Sequence, residues 1–109
     1  MKVAIVGSRG IENPDIYKYL PASTTEIVSG GAKGVDTCAR AYALKNGLIL
    51  TEFLPEYSRY KKGAPLMRNL KIIDYADMVI AFWDGSSKGT RNIIEACKKE
   101  GKEIIIVIE

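Results

Sequence analysis

The sequence predicts a single α/β domain built on a doubly wound, mostly parallel sheet with helices on both faces. Short apolar runs alternate with segments of helical periodicity along the whole chain, which is the pattern of a parallel sheet with crossover helices. The length of 109 residues suits one domain, and a hydrophobic content of 47% is enough for a packed core. We therefore expect five strands and four helices, with residues 1–109 forming one domain.

Five apolar segments are predicted to be strands. The first is an uninterrupted apolar run over residues 3–6 that stops at Gly7, which is typical of a strand buried on both faces. The second ends in the same way, at Gly30 and Gly31. The five predicted strands are residues 3–6, 26–29, 48–53, 77–82 and 103–108.

Four helices are predicted between these strands. Asn13 is expected to cap the first one, with Pro14 at its first position. In the third helix, Leu66, Leu70 and Ile73 recur at helical spacing, so we expect this apolar stripe to face the core. The predicted helices are residues 14–20, 35–46, 64–75 and 90–100, and residues 54–62 are predicted to form a loop.

The composition excludes several kinds of chemistry. The chain has no histidine, which removes Ser-His-Asp and Cys-His catalysis, histidine acid–base chemistry and zinc sites that contain histidine. Sixteen basic against thirteen acidic residues give a net charge of +3, a milder excess than duplex-DNA-binding domains usually carry. The chain therefore lacks the residues for most hydrolytic triads, and its total charge does not decide between a nucleic-acid binder and a site for one small anion.

The cysteines and the apolar segments favour a cytoplasmic setting. Cys38 and Cys97 are far apart in the sequence, and each lies beside alanine on a predicted helix, as small buried thiols do. The longest apolar run, residues 104–108, is too short to span a membrane, and the first apolar run reaches Gly7 too early for a signal peptide. We expect no membrane partner.

The glycines collect where strands are predicted to end. Ligands of open α/β sheets bind outside the carboxyl ends of the strands, where glycine lets backbone N–H groups approach an anion and helix starts add a positive dipole. Hydroxyl and cationic residues accompany each group, which favours an anion site over turns alone. Seven of the ten glycines follow the first, second and fourth predicted strands: Gly7, Gly10, Gly30, Gly31, Gly34, Gly85 and Gly89.

Neither standard phosphate-binding fingerprint is present. The segment after Gly7 does not continue as G-x-G-x-x-G, and no G-K-[ST] follows a glycine at the spacing of a P-loop. A conventional dinucleotide dehydrogenase and a P-loop NTPase are therefore disfavoured.

Four motifs occur in an order that resembles a known superfamily. They are Gly7-Ser8-Arg9, residues 30–36 (GGAKGVD), Arg68-Asn69 and residues 82–90 (FWDGSSKGT). Together they resemble the SLOG superfamily, named after DNA-processing protein A and the Lonely Guy enzymes, and most closely its small YspA-related members. The resemblance implies a Rossmann-like sheet with strand order 3-2-1-4-5 and nucleotides or related molecules held by the motif loops.

The candidate ligand-binding residues come from these motifs. Arg9 and Arg68 are expected to contact phosphate, Trp83 either stacks on a base or packs at the rim of the sheet, and Asp36 either favours its helix dipole, binds a ribose or orders its loop. The full set is Gly7, Ser8, Arg9, Gly30, Gly31, Ala32, Gly34, Asp36, Arg68, Asn69, Trp83, Asp84, Gly85, Ser87, Gly89 and Thr90.

Similarity to the Lonely Guy phosphoribohydrolases makes a hydrolase the second hypothesis. Met67 and Arg68 match their methionine and catalytic arginine, but Asn92 and its neighbours stand where those enzymes carry catalytic glutamates. Asp84 and Glu95 are then the candidate catalytic residues. We expect no cofactor, although Asp84 would suit a Mg²⁺ ion.

The leading hypothesis is that the domain binds a nucleotide or nucleotide-derived small molecule through its glycine-rich loops. Cleavage of a nucleotide N-glycosidic bond is the second. Single-stranded nucleic acid is the third, because Tyr57, Tyr60, Lys61 and Lys62 interleave aromatic and basic side chains. A homo-oligomer is compatible with the sequence.

Overall fold

A computed structural model describes residues 1–109, whose five strands form one sheet. The strands are β1 (Lys2–Gly7), β2 (Glu26–Ser29), β3 (Ile49–Glu52), β4 (Met78–Trp83) and β5 (Ile104–Ile108). All four neighbouring pairs are parallel, and the strand order is β3-β2-β1-β4-β5. The predicted α/β class and strand order are confirmed. Because the order reverses between β1 and β4, a crevice is expected at their carboxyl ends.

The helices connect these strands and differ from the prediction mainly at their starts. They are α1 (Ile16–Tyr19), α2 (Val35–Lys45), α3 (Tyr57–Tyr60), α4 (Ala64–Tyr75) and α5 (Lys88–Glu100). Asn13 does not cap α1; the carboxylate of Asp15 accepts a hydrogen bond from the Lys18 amide at 3.2 Å and takes that place. None of the helices combines the length and the apolar character needed to cross a bilayer.

The segment predicted as a loop over residues 54–62 contains helical structure. It holds the single-turn helix α3 and a 3-10 turn at Lys61–Gly63 that leads directly into α4. Neither piece buries a residue, so neither has the apolar periodicity by which a helix is recognised in a sequence.

The core consists of two layers, one on each face of the sheet. One layer is packed between the sheet and α1 and α2, and the other between the sheet and the pair α4 and α5. β1 and β4 contribute to both layers through alternate residues, and their central side chains are almost completely buried. This explains why both strands appear in the sequence as continuous apolar runs.

The predicted apolar stripe of α4 is wrong in part. Leu66 and Leu70 are 50% and 46% exposed, and only Ile73 of the three is buried. The helix packs against α5 as well as β1, which turns Ile72 and Asn69 inward instead. The polar Asn69 is tolerated there because its side chain is hydrogen-bonded on both sides.

The loops after β1 and β2 approach each other closely at the carboxyl end of the sheet. Gly34 has a φ of +77°, and a Cβ atom on it would lie 2.5 Å from the carbonyl oxygen of Arg9. Only glycine permits both this conformation and this contact. The two glycine-rich loops are therefore packed into one structural unit.

Candidate functional site

A cavity of about 660 Å³ opens at the carboxyl ends of the central strands. Its walls are the loop after β1, the loop after β2, one side of α4 with the segment that precedes it, and the start of α5. Gly31 and Gly89, from separate motifs, both line it. The cavity lies where the strand order reverses, the usual position of ligands in such sheets.

Most of the sequence-predicted site residues surround this cavity. Those that line it are Gly7, Ser8, Arg9, Gly30, Gly31, Ala32, Asp36, Arg68, Asn69, Asp84, Ser87, Gly89 and Thr90. Four candidates do not. Gly34 lies behind its loop against Arg9, Gly85 forms a turn with a φ of +86°, and Glu95 is exposed on α5. Trp83 also lies outside the lining; its indole N–H donates to the Ser87 carbonyl at 3.1 Å and so braces the start of α5.

Arg68 crosses the middle of the cavity wall. Its Nη1 donates to the Gly30 carbonyl at 2.8 Å, and its Nε donates to Asn69 Oδ1 at 2.9 Å. A Cβ atom on Gly30 would displace the guanidinium from its present position. Burial lowers the pKa of Arg68, and the nearby charge of Asp36 partly opposes this effect. The guanidinium stays charged, and its remaining N–H groups are available to a ligand.

Asp36 holds the loop after β2. It is only 6% exposed, and its Oδ2 accepts a hydrogen bond from the Ala32 amide at 3.1 Å. Burial raises the pKa of this carboxyl group, while the Ala32 hydrogen bond and Arg68 act in the opposite direction. Of the roles considered for Asp36, ordering the loop is thus the one its contacts support.

Asp84 and two serines fix the loop after β4. Asp84 Oδ1 accepts hydrogen bonds from the amides of Ser86 and Ser87 at 2.9 and 2.8 Å, which lower its pKa. Ser8 Oγ accepts from the Asp84 amide at 3.1 Å and lies 2.8 Å from Ser87 Oγ. Asp84 is therefore a structural carboxylate that is ionised at neutral pH, a poor choice for a general acid.

The first turn of α5 presents hydrogen-bond donors to the cavity. Lys88, Gly89 and Thr90 line it, and the first intrahelical bond of α5 is made by the Arg91 amide to the Ser87 carbonyl. The amides of these three residues therefore have no partner within the helix. Lys88 adds an ammonium group. Sequence reasoning missed it, because the helix was predicted to start at Thr90.

The other missed lining residues come mainly from the segment after β3, from α4 and from α5. Pro55, Tyr57, Pro65 and Leu66 form an apolar part of the wall. Asn92 also lines the cavity, and its Oδ1 accepts a hydrogen bond from Asn69 Nδ2 at 3.2 Å. Tyr57 was noted only as part of an aromatic and basic cluster, Leu66 only as part of the apolar stripe, and Asn92 only as the departure from the Lonely Guy pattern. Pro55 and Pro65 carried no motif signal.

The carboxylates do not form a metal centre. No group of three or more histidine, cysteine, aspartate or glutamate side chains is arranged to hold a metal ion. Asp36 and Asp84, the two carboxylates that line the cavity, are bound to separate loops by the backbone amides they accept from.

Comparison with known families gives one match. Residues 1–48 match the family described as DNA recombination-mediator protein A, over β1, α1, β2, α2 and the first two glycine-rich loops. No curated protein and no solved structure matches the chain. The match covers less than half of the chain, and Arg68 and α5 lie outside it. Residues 1–48 are therefore similar to this family, which supports the predicted SLOG relationship for that part of the chain.

Proposed function

We propose that the cavity binds a nucleotide or a nucleotide-derived molecule through its phosphate group. The observation that carries this proposal is the set of donors around one opening: the free amides at the start of α5 and the guanidinium of Arg68. Backbone amides at a helix start combine with the helix dipole to favour an anion, and a guanidinium binds phosphate oxygens in pairs.

The charge balance of the lining supports an anionic ligand. Arg9, Arg68 and Lys88 bring three positive groups to the cavity against the two carboxyl groups of Asp36 and Asp84, so the basic groups are in excess. A volume of about 660 Å³ lies within the range of about 300–1,000 Å³ that is usual for small-molecule sites. These properties suit a phosphorylated small molecule of nucleotide size.

Binding is favoured over N-glycosidic cleavage. Cleavage of that bond develops positive charge on the sugar, and a carboxylate near that carbon is needed to stabilise it or to activate water. Asn92 lines the cavity in the region where the Lonely Guy enzymes carry glutamates, and it is paired with Asn69. Glu95 is exposed and away from the cavity. Asp84 is the exposed carboxylate at the cavity, and its Oδ1 is bound to the amides of Ser86 and Ser87, so it is the residue to replace if release of a base is found.

A ligand screen tests the proposal directly. Nucleoside mono-, di- and triphosphates, ADP-ribose and cyclic dinucleotides are added to the protein, and the melting temperature is followed, because a ligand that binds only the folded state stabilises it. We expect a phosphate-bearing nucleotide to raise the melting temperature in proportion to its concentration. No shift with any of them, together with no binding by calorimetry, would contradict the proposal.

Ligand binding by variants of two residues on α4 tests whether the ligand contacts Arg68. Arg68→Ala should weaken binding by about 1.5–3 kcal/mol, the range for hydrogen bonds to charged groups, and Arg68→Lys should restore only part of it. Lys71→Ala is the matched control, because Lys71 lies on the same helix, carries the same charge and pairs with Glu56 away from the cavity. Equal losses in both would indicate only general electrostatic attraction. The melting temperature without ligand checks that each variant folds.

Two further assays on the same protein test the hydrolase and the nucleic-acid-binding hypotheses. Release of free base from nucleoside monophosphates, measured by chromatography, would establish a hydrolase. Binding of single-stranded oligonucleotides that weakens steeply with salt would establish a nucleic-acid module instead.

A further inference from the structure

The cavity has two chemically different ends. Its donor-rich end is the start of α5, which follows β4, and its apolar end contains Pro55 and Tyr57 from the segment after β3. These connections follow strands that are not neighbours, because the strand order β3-β2-β1-β4 puts β2 and β1 between them. An elongated ligand with one anionic end and one apolar end matches this arrangement.

The apolar end is formed by side chains that are not part of the buried protein core. Tyr57 is 58% exposed and Leu66 is 50% exposed, although both line the cavity. Pro65, beside Leu66 in the first turn of α4, extends the same surface. Large apolar groups gathered at a cavity and left open to water are typical of a binding surface.

Tyr57 lies in the segment that leads into α4, the helix that carries Arg68. It is the first residue of α3, whose short turn is followed at once by the 3-10 turn and α4, so its backbone is tied to the helix that carries Arg68. Tyr57 and Arg68 both line the cavity. The ring therefore borders the same space as the proposed phosphate donors.

We infer that Tyr57, backed by Pro55 and Leu66, is the stacking surface for the nucleobase of the ligand whose phosphate is held at α5 and Arg68. This inference rests on the proposed function and specifies it: the ligand is a nucleotide that retains its base, and sugar phosphates are poor ligands. Trp83, the other aromatic candidate, does not line the cavity, and its indole N–H is used by Ser87. A flat aromatic ring accepts any base face, so this surface gives affinity for bases in general.

The test compares two probes that differ only in the base: adenosine 5′-monophosphate and ribose 5-phosphate, measured by calorimetry. The wild-type protein should bind the nucleotide more tightly. Tyr57→Ala should weaken nucleotide binding about 5- to 140-fold, which corresponds to about 1–3 kcal/mol per stacked base at 1.4 kcal/mol for each factor of ten, and should leave ribose 5-phosphate unchanged. Tyr57→Phe keeps the ring and should bind nearly as the wild type does.

Tyr60→Ala is the matched control. Tyr60 lies on the same turn, its ring faces Arg59 and Lys71, and it does not line the cavity, so its loss should leave both affinities unchanged. If the wild type binds both probes equally, or Tyr57→Ala weakens both equally, the stacking surface is refuted while phosphate binding stands. If the wild type binds neither these probes nor any other nucleotide, the proposed function itself fails. A dimer that Tyr57→Ala dissociates without changing nucleotide affinity would also refute the inference.

Discussion

The two ends of the sheet are built from the same parallel strands and differ in how their polar groups are satisfied. At the amino end, the Lys2 amide donates to the Asp77 carboxylate at 2.7 Å, the Asp77 amide returns a bond to the Lys2 carbonyl at 2.8 Å, and Lys102 Nζ donates to the Ala76 carbonyl at 2.7 Å. At the carboxyl end, glycines keep the surface open and helix-start amides remain free. The polar groups at the amino end are satisfied by the protein's own side chains, whereas donors at the carboxyl end have no partner within the protein.

Two aspartates show the difference on a single strand. Asp77 immediately precedes β4 and Asp84 immediately follows it, and backbone hydrogen bonds lower the pKa of each. Asp77 joins two neighbouring strands, whereas Asp84 shapes the loop that carries the first turn of α5. The same chemistry thus closes one end and preorganises the other. Changes at the amino end should affect stability alone, and changes at the carboxyl end should affect stability and binding together.

The largest effect is expected at the carboxyl end, from Gly34→Ala. The new methyl group would have to occupy a backbone conformation that only glycine adopts easily and would collide with the Arg9 backbone. Strain and overpacking together should lower the free energy of unfolding by roughly 2–5 kcal/mol and abolish ligand binding. Urea unfolding measures the loss. Gly89→Ala is the control, because Gly89 has ordinary φ and open space around it, and its unfolding free energy should change by at most about 0.5 kcal/mol.

A smaller effect is expected from Thr51→Val, which removes a hydrogen bond to Glu26 at the amino end of β2. The Thr51 hydroxyl donates to Glu26 Oε2 at 2.8 Å, and the Glu26 carboxylate at the start of β2 is almost buried. Loss of this hydrogen bond should lower the free energy of unfolding by about 1–2 kcal/mol, because the Tyr75 hydroxyl still donates to the same oxygen. Ligand affinity should be unchanged. A parallel fall in affinity would show that the two ends are coupled.

The smallest effect is expected from Asp84→Asn and Asp77→Asn, compared across pH. A carboxyl group whose pKa is lowered by folding contributes stability above its unfolded pKa, near 3.8, and that contribution is lost as the pH falls through the lower folded value. The melting temperature of either variant should therefore lie further below that of the wild type at pH 7 than at pH 2.5. Only Asp84→Asn should also lower the affinity for the nucleotide. Equal binding by both variants would mean that the Asp84 loop does not position the ligand.

Sequence reasoning predicted the sheet well because the central strands are buried on both faces. The continuous apolar runs of β1, β2 and β4 must be buried on both faces of the sheet, and the glycines after them indicated where the strands end. Long-range packing was harder to predict. The stripe of Leu66 and Leu70 has helical spacing, yet the neighbouring α5 decides which face of α4 is buried.

The site residues that directly follow a predicted strand could be predicted from the sequence. Those that the tertiary fold brings to the cavity could not. Gly30 and Gly31 follow a strand, so their position at the edge of the sheet could be inferred. Tyr57 lies on a single helical turn without an apolar period, and only the fold brings it to the cavity. Glu95 was a candidate by its charge alone, and its place on α5 leaves it in solvent.

The contact between Ser8 and Ser87 has a consequence for what the cavity can recognise. The two hydroxyl oxygens lie 2.8 Å apart, and either can be the donor. The pair has two hydroxyl protons and their mutual bond uses one, so one proton is always left over. Reversal of the bond moves that spare proton from one oxygen to the other while no heavy atom moves. In either arrangement, one hydroxyl proton of the pair is not used in the bond between the two serines, and both serines line the cavity.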